Sequence, residues 1–511
     1  MSARDLPAHP NLEQYKKQAK ELVRAAKAGD ARAFALMREH HPRFKDASDD
    51  ELRRTRFALA DAQLIVARWH GFESWPKFAK HIETITSESS SRIWTRAEKA
   101  LVGGDVTTLD ALLARHGDML RTGPVRSSWW GGLAPNYSKG DARAIIAKEH
   151  HFESWDQFAS FAEAMKDGRS PVAQFEAAVD AIIIGDIATL EGLLRANPSL
   201  VRARSIRTHH STLLHYVGSN GVEGFRQRTP KDIVKVAEVL LDAGADINAT
   251  ADMYGGGSDT LGLAATSIHP VTAGVQDELM AFLLARCASL GGQRGAAAWS
   301  KLINACHANG RPGAAEFLAR RADALDLEAA AGVGRLDIVE TFFDTNGRLT
   351  LNATDKQMQD GFTWACEYGR TNVVEFLLQR GIDVAAKLRH HRQTGLHWAA
   401  YGGYADTVRL LLRHNAPVNV TDETFETTPL RWALYAWAGG GPHAGDSRYY
   451  DVVKLLVAAG ATVATVWLNE DEREDPIGKR IREDTAMRAA LGAKLGSTAG
   501  MSRSQNDQSK T

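Results

Sequence analysis

Cysteine is scarce in this 511-residue chain, and the three present (Cys287, Cys306, Cys366) stand far apart with no C-x-x-C pair. Such spacing offers neither a disulfide framework nor a zinc ribbon, so a reducing cytosol is the expected compartment. Net charge is lacking too: 62 basic side chains are matched by 62 acidic ones. No bulk attraction to nucleic acid or to a membrane surface follows from that balance. No apolar run approaches the roughly 18 residues of a membrane span, and MSARDLPAHPNLEQYKKQ at the start has no apolar core of a signal peptide. Catalytic signatures are missing as well, with no G-x-x-x-x-G-K-[ST], no G-x-S-x-G and no H-E-x-x-H. Tyr254 to Thr260, YGGGSDT, comes nearest to a phosphate cradle. It has no following lysine and no preceding apolar strand, and reads better as a Gly-rich hairpin tip. Histidine pairs at 40–41, 150–151, 209–210 and 390–391 invite a metal reading. Adjacent side chains diverge by about 100° on a helix and by a half-turn on a strand, so one pair cannot chelate one ion. Surface or turn histidines are the plainer reading, and neither metal nor cofactor is expected.

What the chain has is repetition. In Gln393 to Asn419, QTGLHWAAYGGYADTVRLLLRHNAPVN, Leu396, Ala399 and Ala400 put an apolar stripe on one short helix. Val408, Leu411 and Leu412 do the same on a second, and Gly402-Gly403 break the chain between them. Helices this short cannot bury their stripes on each other alone and need copies above and below. Copies are present: Phe362 to Val384 lies 34 residues back, with Trp364, Ala365 and Gly369 matching Trp398, Ala399 and Gly403. Leu327 to Phe343 lies another 35 back.

The array resembles ankyrin repeats, which have a period of about 33 residues and open their first helix with T-P-L-H-x-A. The signature stands here as Thr394-Gly395-Leu396-His397-Trp398-Ala399, as Thr428-Pro429-Leu430-Arg431-Trp432-Ala433 and, degraded, as Thr212-Leu213-Leu214-His215-Tyr216. Exit sequences VAEVLLDAGADIN (236–248) and VVKLLVAAGATV (452–463) agree with it. The resemblance implies an all-α solenoid of stacked helix-turn-helix units over 205–465. It also implies that the signature histidines His215 and His397 fix helix starts.

Upstream, the first helix pattern (Leu12, Tyr15, Ala19, Leu22, Val23, Ala26) carries lysines off its stripe, the mark of a solvated face. ARWHGFESWPKFAKHIE (67–83) recurs as AKEHHFESWDQFASFAE (147–163), with nine identities in seventeen. Trp75, Phe78, Trp155 and Phe158 read as packing anchors at helix starts, where Ser74 and Ser154 are placed as caps and Ser154 with Gln157 as a capping box. Gly-Asp breaks at 29–30, 104–105 and 185–186 precede outer-helix patterns. Expected segments are therefore 1–85 and 86–204, both helical, the array 205–465, a capping helix in 466–496 and a disordered tail 497–511. Similar leaders precede ankyrin arrays in some bacterial proteins.

Three stretches, 220–232, 251–276 and 436–450, exceed the repeat and are expected to project as loops. In ankyrin arrays partners lie against hairpin tips and first helices. Carried onto this chain, that places exposed contact positions at His390, His391 and Gln393, at Thr424, Phe425 and Thr427, and at Glu367, Tyr368, Tyr401 and Tyr435. Aromatics and histidines at sites that need not be apolar are what an interface favours. The expected function is a monomeric, non-catalytic cytoplasmic scaffold that binds a protein partner through the concave face of 355–450. The competing reading is a small-ligand sensor or enzyme whose site the three enlarged stretches build together, with Tyr254, His269 and His443. Convergence of those loops into one pocket would favour the second reading, and an open groove the first. A secreted effector is a third reading that no signal in the sequence supports.

Overall fold

A computed structural model describes residues 12–122, 142–286, 295–386, 393–463 and 476–492. Contacts divide the chain into two compact units at 161/162. That border falls within the expected segment 86–204, and the helix Trp75–Gly103 runs through the expected 85/86 junction.

The first unit is built of helices, among them Leu12–Lys27, Ala31–His40, Leu59–Trp69, Trp75–Gly103, Val106–Thr122 and Ala142–Glu149. Leu12–Lys27 buries Tyr15, Ala19, Leu22 and Ala26 and leaves Lys17, Lys20 and Lys27 in solvent. Both FESW copies form the same aromatic knot. Phe78 meets Trp75, Phe72 and His70 at ring-centroid distances of 5.7, 5.2 and 5.4 Å. Phe158 meets Trp155, Phe152 and His150 at 5.2, 5.9 and 4.8 Å. The tryptophans pack, as their spacing predicts. Ser154 accepts from Gln157 N, but Gln157 Oε1 reaches back to Glu153 N, one residue short of the expected box.

The second unit is an all-α solenoid. Helix pairs succeed one another from Pro171–Ile184 with Ile187–Ala196 to Pro429–Tyr435 with Arg448–Ala458, and one hydrophobic core runs from Phe175 to Leu491. Thr250–Ala251 and Ser258–Asp259 form the two-stranded pairing of one hairpin. Asp186 shows how the Gly-Asp break works. Gly185 turns left-handed at φ 77°, and Asp186 then accepts from Thr189 N at 3.0 Å to cap the outer helix. The same pair of devices recurs in the first unit at Gly104-Asp105, with Thr108 N donating at 2.9 Å.

Two of the enlarged stretches do not project. Residues 220–232 are held by a buried ion ring: Arg207 pairs with Glu176 at 2.5 Å and with Glu223, while Arg226 pairs with Glu176 and, at 2.9 Å, with Asp180. Arg207, Glu176 and Glu223 are each no more than 1% exposed. Burial pushes the Glu223 carboxyl up, but His209, Arg207 and Arg226 outweigh it and hold that group well below the usual carboxylate range. In 251–276 much of the expected loop is regular: Thr260–Thr266 is an inner helix with Leu261, Leu263 and Ala264 buried, followed by Ile268–Ala273. At the far end the expected single capping helix is two short ones, Pro476–Glu483 and Thr485–Ala490, broken at Asp484, whose side chain caps the second through Met487 N at 2.8 Å. The expected tail 497–511 lies outside the described residues.

Candidate functional site

The first helices of successive layers, Asp355–Glu367, Gly395–Tyr401 and Pro429–Tyr435, line the concave side of the array. Each starts at a threonine, paired with Gln357 at Thr354, with His397 at Thr394 and with Arg431 N at Thr428. Thr394 Oγ1 lies 2.9 Å from His397 Nδ1, which also accepts from Thr394 N at 3.1 Å; His397 Nε2 meets Thr427 O of the next tip at 3.1 Å. The signature histidine therefore ties one layer to the hairpin of the next. His215 repeats the local half of this arrangement with Thr212, and burial lowers its pKa to about 4.

The tip 422–428 is organised by a residue to which the sequence reading gave no role. Asp422, 1% exposed, accepts from Phe425 N at 2.7 Å, Thr424 N at 2.9 Å, Thr427 Oγ1 at 2.9 Å and Trp432 Nε1 at 3.0 Å. Burial alone would raise this carboxyl; the bonds from Phe425, Trp432 and Thr427 outweigh it and bring the pKa to about 2. Aspartate is common in turns, so only the structure shows it anchoring an indole.

Beyond Tyr435 the chain makes a π-helical turn, Ala436–Gly440, and folds over the concave side. Tyr401 Oη donates to Gly440 O at 2.8 Å and Arg480 of the capping helices donates to Ala438 O at 2.8 Å. A side chain at Gly440 would collide with the Tyr435 ring, its Cβ meeting ring carbons at 2.2 Å. A larger residue at Gly440 would therefore displace the exposed Tyr435 ring from the mouth of the cavity.

The result is a cavity of about 940 Å³. It gathers Glu367, Tyr368, Gln393, Tyr401, Phe425, Thr427 and Tyr435 from the expected contact positions. Thr424 is exposed on the same tip; His390 and His391 lie outside the described residues. Gln393 departs from expectation. Rather than being exposed it is 1% accessible, packed at the start of the helix, and neither of its amide atoms has a hydrogen-bond partner among the described residues. Trp398, Trp432, Arg311 and Tyr404 also line the cavity, and sequence reasoning passed over them; the glycines 439–441 enter it from the enlarged stretch 436–450. The two tryptophans matched the repeat and were read only as part of its signature. Of the competing site, His443 joins the lining, whereas Tyr254 and His269 do not; Tyr254 is 74% exposed and donates to Asn220 Oδ1 at 2.7 Å. The three enlarged stretches therefore do not converge, although one of them roofs the concave face.

Among the described residues no three His, Cys, Asp or Glu side chains gather into a metal site. No helix there is long and apolar enough to cross a membrane. Cys306 and Cys366 are buried free thiols, and burial pushes the Cys306 pKa up to about 12, far from a reactive thiolate.

The family model for ankyrin repeats matches residues 364–466 in three copies. Residues 364–466 are ankyrin repeats. The matched ankyrin repeats hold most of the cavity, from Glu367 to His443, and the layers before residue 364 continue the same helix pairs. Ankyrin repeats are in general protein–protein interaction modules. No curated protein matches the chain.

Proposed function

We propose that this protein is a non-catalytic cytoplasmic scaffold whose ankyrin repeats bind a segment of a protein partner along the concave face of 355–450. One observation carries the reading: tip and helix positions from successive layers converge on a single aromatic cavity. Phe425 and Tyr435 remain 61% and 54% exposed at its mouth. Half-exposed aromatics around a concavity are the usual anchors of an interface. Capture with the tagged protein from its native cytosol, beside Phe425→Ala/Tyr435→Ala, tests it. Both side chains are exposed, so the variant is expected to stay folded. A protein retained by the wild type and lost from the variant supports the reading; retention of the same proteins by both overturns it.

A second reading, a small-ligand sensor, draws on the roof. Ala436–Gly440 and His443 turn an open groove into a cavity within the roughly 300–1,000 Å³ range of small-molecule sites. A metabolite whose stabilisation of the protein is abolished by Gly440→Ala would favour it.

A further inference from the structure

Four rings of the cavity stand nearly perpendicular to one another. Trp432 meets Trp398 at 5.3 Å and 75° and Tyr401 at 5.7 Å and 73°, while Trp398 meets Tyr401 at 90°. Phe425 closes on Trp432 from the tip at 66°. Walls so arranged form a box, not a slot. A slot with parallel faces suits a planar ring; rings set at steep angles around one cavity offer no parallel pair to sandwich it, and a compact cation in that space meets more than one ring.

Elsewhere in the same array the protein covers its aromatic faces with its own guanidinium groups. Arg321 sits over Phe317 at 3.6 Å, Arg380 over Phe376 at 4.2 Å and Arg480 over Trp437 at 5.0 Å. Among the described residues no cation lies over Trp398, Tyr401, Trp432 or Tyr435. Glu367 puts a carboxylate in the same lining. Two arginines also reach it. Arg311, from an earlier layer, donates to Gly310 O at 2.9 Å, and Arg431 belongs to the layer of Trp432. They make an anion the natural rival, which the test must separate.

We propose, resting on the scaffold reading above, that this box receives a weakly hydrated organic cation on a partner side chain. Guanidinium and alkylated ammonium share the needed chemistry: positive charge, low hydration cost and an apolar outer surface. A bare lysine ammonium is more strongly hydrated and fits less well.

The test needs no partner. Purified full-length protein is titrated by calorimetry with choline and its neutral isostere 3,3-dimethylbutanol. The same is done with N-acetyl-arginine amide and its neutral isostere N-acetyl-citrulline amide, and with benzoate as the anion probe. At least one cation is expected to bind about tenfold tighter than its isostere, which corresponds to the sum of a few ring contacts. The pair that shows the gap tells alkylammonium from guanidinium. Glu367→Gln weakens cation binding several-fold and Arg431→Gln strengthens it. Trp432→Leu abolishes it; Tyr401→Leu, which leaves the Asp422 anchor intact, does so independently. Equal affinity for cation and isostere, stronger binding of benzoate, or no binding by any cation overturns the proposal. None of these touches the capture experiment, so the scaffold reading stands or falls separately.

Discussion

Asp422 sets the positions of Phe425, Thr427 and Trp432 at the mouth of the cavity with one buried carboxylate. Its folded pKa of about 2 lies below the ordinary aspartate value near 3.9, so its contribution is complete above about pH 4 and is lost as pH falls towards 2. A displacement of that size corresponds to about 2–3 kcal/mol. Asp422→Asn should lose about this much at pH 7 in urea denaturation, and the gap to wild type should close as pH is lowered to 2. A gap that stays constant with pH would remove the carboxylate from this role. Gln393 poses the opposite case. Both amide atoms are buried without partners among the described residues, a burden of about 1–3 kcal/mol that packing alone does not need. Gln393→Met should raise the thermal midpoint of the free protein while weakening capture of the partner. A variant no more stable than wild type would show that the amide is satisfied where it lies.

The buried ring of Arg207, Glu176, Glu223 and Arg226 shows how an enlarged stretch becomes part of an element's core. Removing one member leaves an uncompensated buried charge, which costs about 3–5 kcal/mol. Glu223→Gln should therefore destabilise the early layers by that order, read as raised amide exchange across 204–232, whereas Asp180→Asn, at a carboxylate 59% exposed, should change little. Equal effects of the two would mean that burial is not what makes the ring matter. Legibility follows the same division. The apolar helix stripes, the threonine starts and the bond of each signature histidine to its own threonine were readable because each is made within one repeat, by residues three or four apart; the bond of His397 to Thr427 O, 30 positions on, was not. The ring was not, because it joins Glu176 to residues 31 and 50 positions on, and sequence spacing has no signal for such pairs. The Gly-rich stretch 436–450 was expected to be loop throughout, whereas Ala436–Gly440 forms a π-helical turn and the outer helix already starts at Arg448. On which side of the array it folds depends on Tyr401, Tyr435 and Arg480 together, and no local pattern carries that.

A solenoid has contacts mainly between neighbouring layers, so its stability is close to a sum of layer and interface terms. Loss at one end should therefore stay near that end. The capping helices bury Ile477, Ile481, Met487 and Leu491 on the last layer, each worth about 2 kcal/mol as an upper bound. They also tether the cavity roof through Arg480 to Ala438 O and the outer helix through Tyr450 Oη to Asp484 at 2.9 Å. Deleting residues 464–511 should raise amide exchange in 429–458 and free the 436–441 turn, while 171–332 keeps its protection. Because the roof moves with the cap, the same deletion should weaken binding at the concave face without touching any residue that lines it. The measurement is exchange mass spectrometry on full-length and truncated protein. A uniform rise across the array would mean that the unit unfolds as one cooperative block, and the roof's dependence on the cap would then be no more than its share of a global loss.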